Sequence, residues 1–277
     1  MARSEGKIMR SDRTARTRII INRDIARTVA EEPQYDVLYV RFWDAGQAGE
    51  RELTAEELRL RAVQGDVEAQ IGWGHKLLDG RDVPRDLAAA YRWFRIAAGS
   101  GHADAFNMMG RCYELGWSVA PDPREAAEWY RKASDRGHAW GAFNLGCLLA
   151  QGRGVPADPA AALTQLVRAA RGGNASAMNM IGRYREQTRP GPRGVRSARL
   201  WYRWAADGGC FRGQFHHGRS LLEAGRAEEG RTWIERSLAQ APEDYRREAL
   251  QALDAHPLAA ARDLARSLAD QDPGVEP

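Results

Sequence analysis

The 277-residue sequence predicts an all-α protein, a right-handed α/α solenoid of stacked helix–turn–helix units. The first observation behind this prediction is a 36-residue repeat, marked by the glycines Gly65, Gly101, Gly137, Gly173 and Gly209. The second is another glycine column nine residues further along each unit, followed by columns of alanine and of aromatic residues. Because a lone helical hairpin cannot bury its apolar face, repeats of this length stack and share a continuous core.

Each unit is predicted to contain two helices of about 13 residues, each roughly 20 Å long. In the second unit the first helix runs from about residue 103 to 115, and its small residues Ala105 and Gly110 allow another helix to approach closely. The second helices begin at an acidic N-cap, with proline at the first helical position in two units. These caps are Asp86, Asp122 and Asp158.

An aromatic residue recurs at one position of the second helices. The tryptophans at this position are Trp93, Trp129, Trp201 and Trp233. Recurrence at a fixed position of a repeat indicates packing, so we expect these side chains in the core. Trp117, Trp140 and Trp204 lie off this register and are better candidates for exposed contacts.

The fourth and fifth units depart from the pattern. In the fourth, the cap aspartate is absent, so we expect a longer loop and a second helix shortened by about one turn, with Ser197 as its cap. In the fifth, Gly225-Arg226-Ala227 replaces the long loop and predicts a tight hairpin.

The chain ends predict capping elements around the repeats. Thr54-Ala55-Glu56-Glu57 is a capping box that opens a helix. The expected organisation is a basic arm, an N-terminal segment with a capping helix, the repeat solenoid, a closing helical hairpin and a loose tail. These occupy residues 1–18, 19–64, 65–240, 241–270 and 271–277. Residues 19–50 receive no assignment.

Composition and charge restrict the class of protein. The sequence has three cysteines, no apolar run long enough to cross a membrane and no apolar stretch in its first 18 residues, so we expect a cytoplasmic protein with free thiols. Residues 1–18 carry the whole net charge of +4, and the other residues balance. The arm is expected to be a solvated terminus; the alternative is that it binds an anionic polymer such as nucleic acid.

Three segments carry a family resemblance. They read AQIGWGHKLLDGRDVPRDLAAAYRWFRIAAGSG, GHADAFNMMGRCYELG…VAPDPREAAEWYRKASDRG and GHAWGAFNLGCLLAQGRGVPADPAAALTQLVRAARGG. They resemble the Sel1-like repeat of the tetratricopeptide-repeat-like superfamily, over roughly residues 65–238. The resemblance implies a bacterial, non-enzymatic scaffold or adaptor whose first helices line a concave groove that binds a partner peptide or protein.

The columns around the second glycine predict the residues of this groove. They are Asn107, Arg111, Trp140, Phe143, Asn144, Asn179, Arg183, Phe215 and Arg219. By resemblance to peptide-binding tetratricopeptide grooves, the asparagines would hold a ligand backbone and the arginines would pair with carboxylates, which favours an acidic partner. In the alternative interpretation the asparagines stabilise packing between units and the arginines pair with neighbouring helices.

The sequence offers no catalytic, metal or cofactor motif, and we expect none of the three. His216 and His217 are adjacent, so they point to different faces of a helix and do not form a ligand pair. Cys112 and Cys147 lie in successive first helices, and a reducible pair between them is a minor alternative. A hydrolase acting on cell wall or β-lactams is the least favoured function. Nucleic acid and membrane are not expected partners, and the oligomeric state stays open.

Overall fold

A computed structural model describes residues 53–189 and 191–270 of the chain. Within these two ranges the protein consists of thirteen α-helices and contains no strand. The helices are α1 (Ala55–Val63), α2 (Val67–Asp79), α3 (Leu87–Gly99), α4 (Ala103–Leu115), α5 (Pro123–Asp135), α6 (Ala139–Gln151), α7 (Pro159–Arg171), α8 (Ala175–Thr188), α9 (Pro192–Asp207), α10 (Phe211–Glu223), α11 (Ala227–Gln240), α12 (Glu243–Asp254) and α13 (Ala259–Ala269). The predicted all-α helical repeat solenoid is therefore confirmed.

Helices α2 to α11 form five hairpins, each made of a first and a second helix. Every helix of this series packs against its hairpin partner and against the next helix along the chain. First helices of neighbouring units also meet, since α4 contacts α6 and α8 contacts α10. The first helices thus lie side by side and form one continuous surface, which we call the first-helix face.

A glycine in each first helix sets the distance to the second helix of the same unit. A β-carbon at Gly110 would lie 2.5 Å from the ring of Tyr130, and one at Gly74 would lie 2.5 Å from the ring of Phe94. Such distances are shorter than van der Waals contact allows, so only glycine permits this approach. The ring or branched side chain that meets each glycine is buried: Phe94, Tyr130, Leu166, Tyr202 and Ile234.

The expectation that the recurring tryptophans fill the core is wrong by one residue. All four are only partly buried: Trp93, Trp129, Trp201 and Trp233. The residue after each tryptophan is the one that faces the first helix, as Tyr130 does after Trp129. Trp93, Trp129 and Trp201 therefore cover the edge of the core rather than its centre.

The predicted helix starts are confirmed. Thr54 forms the capping box with Glu57, and the aspartates before α3, α5 and α7 accept hydrogen bonds from the first turn. The first helices have side-chain caps at one repeat position, held by five residues of four kinds: Asp66, His102, His138, Asn174 and Cys210. Before α6, Gly137 adopts φ +82°, the left-handed conformation that turns the chain from one unit into the next.

The fourth unit contradicts its prediction. Its second helix, α9, is longer than that of the preceding units, with 16 residues, and begins at Pro192 rather than after Ser197. Gly191 caps α9 without a side-chain hydrogen bond, because glycine has no side chain that could accept one. A β-carbon at Gly194 would collide with the Arg189 carbonyl, so glycine lets α9 begin directly after the end of α8.

The fifth unit has the predicted tight hairpin, and two helices follow it. Helices α12 and α13 pack against each other, and α13 also contacts α10. Their buried residues Leu250, Leu253 and Leu264 join Phe215 and Ile234 in one cluster that closes this end of the core. The predictions for residues 1–18, 19–50 and 271–277 lie outside the described residues, and the domain boundaries stay predictions.

Gly110 and Gly99 offer a matched test of the close approach. Gly110→Ala is expected to lower the free energy of unfolding by about 1–3 kcal/mol, because the added methyl group would press on the buried ring of Tyr130. Gly99→Ala, at the last residue of α3 where a β-carbon meets nothing within 4 Å, is expected to leave stability unchanged or slightly raised. Urea unfolding followed by circular dichroism measures both. An equal loss in the two variants would show that the glycine does not set the spacing.

Candidate partner-binding site

The nine predicted groove residues all lie on first helices, namely α4, α6, α8 and α10 of the second to fifth units. They differ in exposure. The buried members are Asn107, Arg111, Phe143, Asn179 and Phe215. The partly exposed members are Trp140, Asn144, Arg183 and Arg219. The second group can touch a partner directly, whereas the first group supports it from below.

Two of the predicted asparagines meet across neighbouring first helices. Asn144 Nδ2 donates a hydrogen bond to Asn107 Oδ1 at 3.0 Å. Asn107 is fully buried on α4, whereas Asn144 on α6 is partly exposed. The bond fits the alternative in which asparagines stabilise packing between units. It also fixes the orientation of the Asn144 amide, whose carbonyl oxygen accepts no hydrogen bond within the described residues.

Trp140 belongs to the same surface at the start of α6. Its ring meets the buried Phe143 ring edge to face, with centroids 5.6 Å apart and planes at 84°. Such pairs hold an aromatic side chain in one orientation. Trp140 and Asn144 stand four residues apart, about one helical turn. Together they offer a partner one apolar and one polar contact on the same surface.

Arg111 and Arg219 are held by the protein itself. The Arg111 guanidinium lies over the Trp117 ring, 4.8 Å from its centroid, and the side chain is buried. Arg219 Nη2 donates to both oxygens of Glu186, at 2.6 and 2.8 Å. The contact of Arg219 on α10 with Glu186 on α8 matches the alternative in which the arginines pair with neighbouring helices, whereas Arg111 contacts the loop after its own helix.

The sequence reasoning missed a polar link that occurs in two units. The hydroxyl of Tyr130 donates to Glu114 at 2.6 Å, and Arg153 of the next unit donates to the same carboxylate at 3.1 Å. In the fourth unit, Tyr202 donates to Glu186 at 2.7 Å, and there Arg219 supplies the second contact. Each link ties the two helices of a unit together and joins the unit to its successor.

The signal for this link was present in the repeat alignment. In the second and fourth units, a glutamate stands four residues after the glycine that meets the second helix. These are the two units in which the second helix meets that glycine with a tyrosine. The other units pair apolar residues at both positions, such as Leu78 with Phe94 and Ala150 with Leu166. A buried phenol needs an acceptor, so the two positions change together.

His216 reports a positive electrostatic potential on the first-helix face. Its ring stacks on Tyr202, with centroids 4.8 Å apart, and meets Phe215 edge to face. Burial lowers the pKa of His216 well below its usual value, and the charges of Arg219, Arg183 and Arg212 lower it further. Burial is the larger cause and disfavours either sign of charge, while the three arginines add positive potential at this ring.

The described residues hold no group of three or more histidine, cysteine or acidic side chains that could bind a metal ion. His216 and His217 face different neighbours, Tyr202 and Trp233, as their adjacency predicts. Cys112 is a free thiol, and burial raises its pKa to about 12, which makes it a poor nucleophile. No helix in the described ranges has the length and apolarity that crossing a membrane requires.

Comparison with known proteins identifies the repeat. The family model described as the Sel1 repeat matches residues 67–102, 103–138, 141–174 and 175–210. The four matches cover just over half of the chain and stop before α10, the first helix of the tight fifth hairpin. No match was found among curated proteins.

Solved structures share the fold. A Sel1 repeat protein from Oxalobacter formigenes is 21% identical with a TM-score of 0.63, and the alignment covers 80% of this chain and 100% of that one. A protective antigen of uropathogenic Escherichia coli strains, which displays an SLR fold, is 24% identical with a TM-score of 0.54, over 79% of this chain and 57% of that one. An immunity protein of Pseudomonas aeruginosa is 17% identical with a TM-score of 0.50, over 72% and 75%. These similarities concern the fold alone.

The tyrosine–glutamate link can be tested with residues that the chain itself uses elsewhere. Glu114→Leu is expected to lower the free energy of unfolding by about 2 kcal/mol, because the buried Tyr130 hydroxyl loses its acceptor. The double variant Tyr130→Phe/Glu114→Leu reproduces the Phe94 and Leu78 pair of the first unit and is expected to recover most of that loss. Urea unfolding of wild type, both single variants and the double variant gives the coupling energy. Additive effects would mean that the link contributes nothing.

His216 predicts a pH dependence of stability. Unfolding returns His216 to its ordinary pKa near 6.5, so below that pH the unfolded chain takes up a proton that the folded chain refuses. Stability is therefore fully present above pH 6.5 and falls as the pH drops, by up to about 1.4 kcal/mol per pH unit from this group. His216→Met, which carries the residue found at this position in the second and fourth units, is expected to show a flatter profile. Identical profiles would exclude a buried neutral histidine.

Proposed function

Because this chain belongs to the Sel1 repeat family, whose repeats account for more than half of its residues, we propose that it is a non-enzymatic adaptor that binds a segment of a partner protein along its first helices. Proteins built from these repeats serve in general as non-catalytic scaffolds for protein interactions. The observation that carries the proposal is the Asn144 amide, which is partly exposed and held in one orientation by the buried Asn107.

The contact surface consists of Trp140, Asn144 and Arg183, with Arg219 at its far end. The Asn144 carbonyl oxygen accepts a backbone N–H of the bound segment, and Trp140 covers an apolar side chain beside it. A side chain that is already fixed loses little conformational freedom on binding, which raises the affinity gained per contact. Arg111 and the buried asparagines act beneath this surface and hold its shape.

The partner segment is acidic. Arg183 and Arg219 both add to the positive potential at His216, so this part of the face attracts a carboxylate. Glu186 already neutralises part of the charge of Arg219, and Arg183 adds a second positive charge to this part of the face. We place the protein in a reducing, cytoplasmic compartment, which suits its three free cysteines.

A pull-down from native lysate tests the proposal when it compares three full-length baits. Asn144→Ala/Arg183→Ala is expected to recover about tenfold less of at least one protein than wild type, with unchanged helicity. The control Arg92→Ala/Arg95→Ala removes two exposed arginines from the outer side of α3 and is expected to behave as wild type. A peptide from the protein that is lost then gives affinities by calorimetry. Equal recovery by all three baits would place the contacts elsewhere and refute the proposed surface.

A further inference from the structure

The residues after residue 18 carry no net charge together, but they include one strongly basic segment. Residues 159–207 contain nine arginines, and their only acidic residues are Glu186 and Asp207, so the segment carries a net charge of +7. The remaining residues after residue 18 carry −7 in compensation. The segment spans α7, α8 and α9, which means that the positive charge is concentrated in one part of the solenoid.

Much of this charge lies on the outer side of the second helices, away from the first-helix face. On α9, the exposed positions include Arg193, Arg196, Leu200, Arg203 and Trp204, which recur every three or four residues along one side of the helix. On α7, Arg168 and Arg171 are exposed, and Arg168 stands at the same repeat position as Trp204. We call Arg168, Arg171, Arg193, Arg196, Arg203 and Trp204 the basic outer face.

The arginines of this face are poorly neutralised. Within residues 53–189 and 191–270, Arg171, Arg193 and Arg196 have no carboxylate within 4 Å. Arg203 reaches only Asp207, at 3.7 Å, and Arg168 reaches only Asp135, at 3.6 Å. Such long, exposed pairs contribute little, so the positive field is open to a ligand.

Like charges also crowd at the start of α9. The pKa of Arg185, near the end of α8, is lowered by burial and by the neighbouring charge of Arg189. Among the described residues, α9 is one of the helices whose N-cap makes no side-chain hydrogen bond, and its first turn contains no acidic residue. No acidic residue of the first turn of α9 offsets the positive end of its dipole.

An exposed indole stands among these charges. Trp204 is 48% exposed, and its ring meets Trp201 edge to face, with centroids 5.1 Å apart and planes at 86°. Leu200, one turn earlier, is also 48% exposed. The contact with Trp201 supports the Trp204 ring, and the exposed half of the indole is accessible to a ligand.

We propose that the basic outer face binds single-stranded nucleic acid. The arginines contact consecutive phosphates along about 15 Å of α9, from Arg193 to Arg203, and a base stacks on Trp204. This surface is separate from the first-helix face, so the nucleic acid and a partner protein bind independently.

The combination of open arginines with a supported ring favours nucleic acid over an acidic protein. An acidic protein would satisfy the arginines but needs no flat ring, whereas every base offers a stacking surface. The large apolar side chains exposed on this stripe are only Leu200 and Trp204, whereas a protein interface buries a broader apolar centre inside a polar rim. A duplex is less suited, because its bases are already stacked.

Fluorescence anisotropy with the full-length protein tests the proposal. The probes are fluorescein-labelled oligouridylate and oligothymidylate of about 15 nucleotides, a duplex of equal length and an oligoglutamate peptide. Three variants accompany wild type. Arg193→Gln/Arg196→Gln/Arg203→Gln alters the face, Arg59→Gln/Arg92→Gln/Arg95→Gln is the matched control on α1 and α3, and Trp204→Ala removes the ring. A fourth, Arg10→Gln/Arg13→Gln/Arg16→Gln/Arg18→Gln, separates the contribution of the arm.

Wild type is expected to bind the single strands more tightly than the duplex or the peptide. The face variant should weaken this binding at least about tenfold and reduce the slope of log affinity against log salt by about 2, which corresponds to three lost phosphate contacts. Trp204→Ala should weaken it about tenfold with an unchanged slope, since stacking releases no counterions. The matched control should bind as wild type does.

Three results would overturn the proposal. The first is no binding of either single strand at low salt. The second is an equal loss in the face variant and the matched control, or a loss confined to the arm variant, because the charge would then act without a defined site. The third is equal affinity for oligoglutamate with no effect of Trp204→Ala, which would make this face an interface for an acidic protein.

Discussion

The close approach of the two helices in each unit is the constraint on which the rest of the structure depends. A glycine on the first helix accepts the ring or branched side chain of the second. A methyl group at that position would overlap with its neighbours in four units and would be tightly packed at Gly146, 3.3 Å from Leu166. Because this contact recurs at one position, the two helices of each unit pack in a similar way, even where the loop between them is shorter, as in the fourth and fifth units. The continuous first-helix face, on which the proposed partner site lies, is a result of that regularity.

Polar links then decide how the units hold one another. In the second and fourth units a buried tyrosine donates to a glutamate, and an arginine from the following unit completes the carboxylate's contacts. The arginine of the fourth-unit link, Arg219, is also a predicted groove residue. Its hydrogen bonds to Glu186 leave fewer N–H groups and less net charge for a ligand. The same guanidinium group therefore serves both the stability of the fold and the proposed recognition. Asn107 shows the same division, since it is buried and yet positions Asn144.

Sequence reasoning predicted the repeating elements well because their signals are local. Thr54, Asp122 and Asp158 cap the helices that follow them, and a cap depends on residues only two or three positions away. It failed where the outcome depends on packing between helices. Gly194 begins α9 early through its contact with the Arg189 carbonyl, and Tyr130 rather than Trp129 faces Gly110. The basic outer face was missed because charges were summed over the whole body, whereas the fold brings those of one segment to one side.

The hydrogen bonds between units join residues only 24 to 39 positions apart, as in Arg199 with Glu223 and Arg153 with Glu114. Each unit therefore needs nothing from the chain beyond its nearest neighbour in order to complete its contacts. At about 5–20 residues per second, a ribosome takes roughly 2–7 s to add one unit, while a helical turn forms in well under a millisecond. The protein can thus fold during synthesis, from its N-terminal side. Each new hairpin packs against the hairpin that is already folded, and its apolar face stays exposed only until the next hairpin covers it.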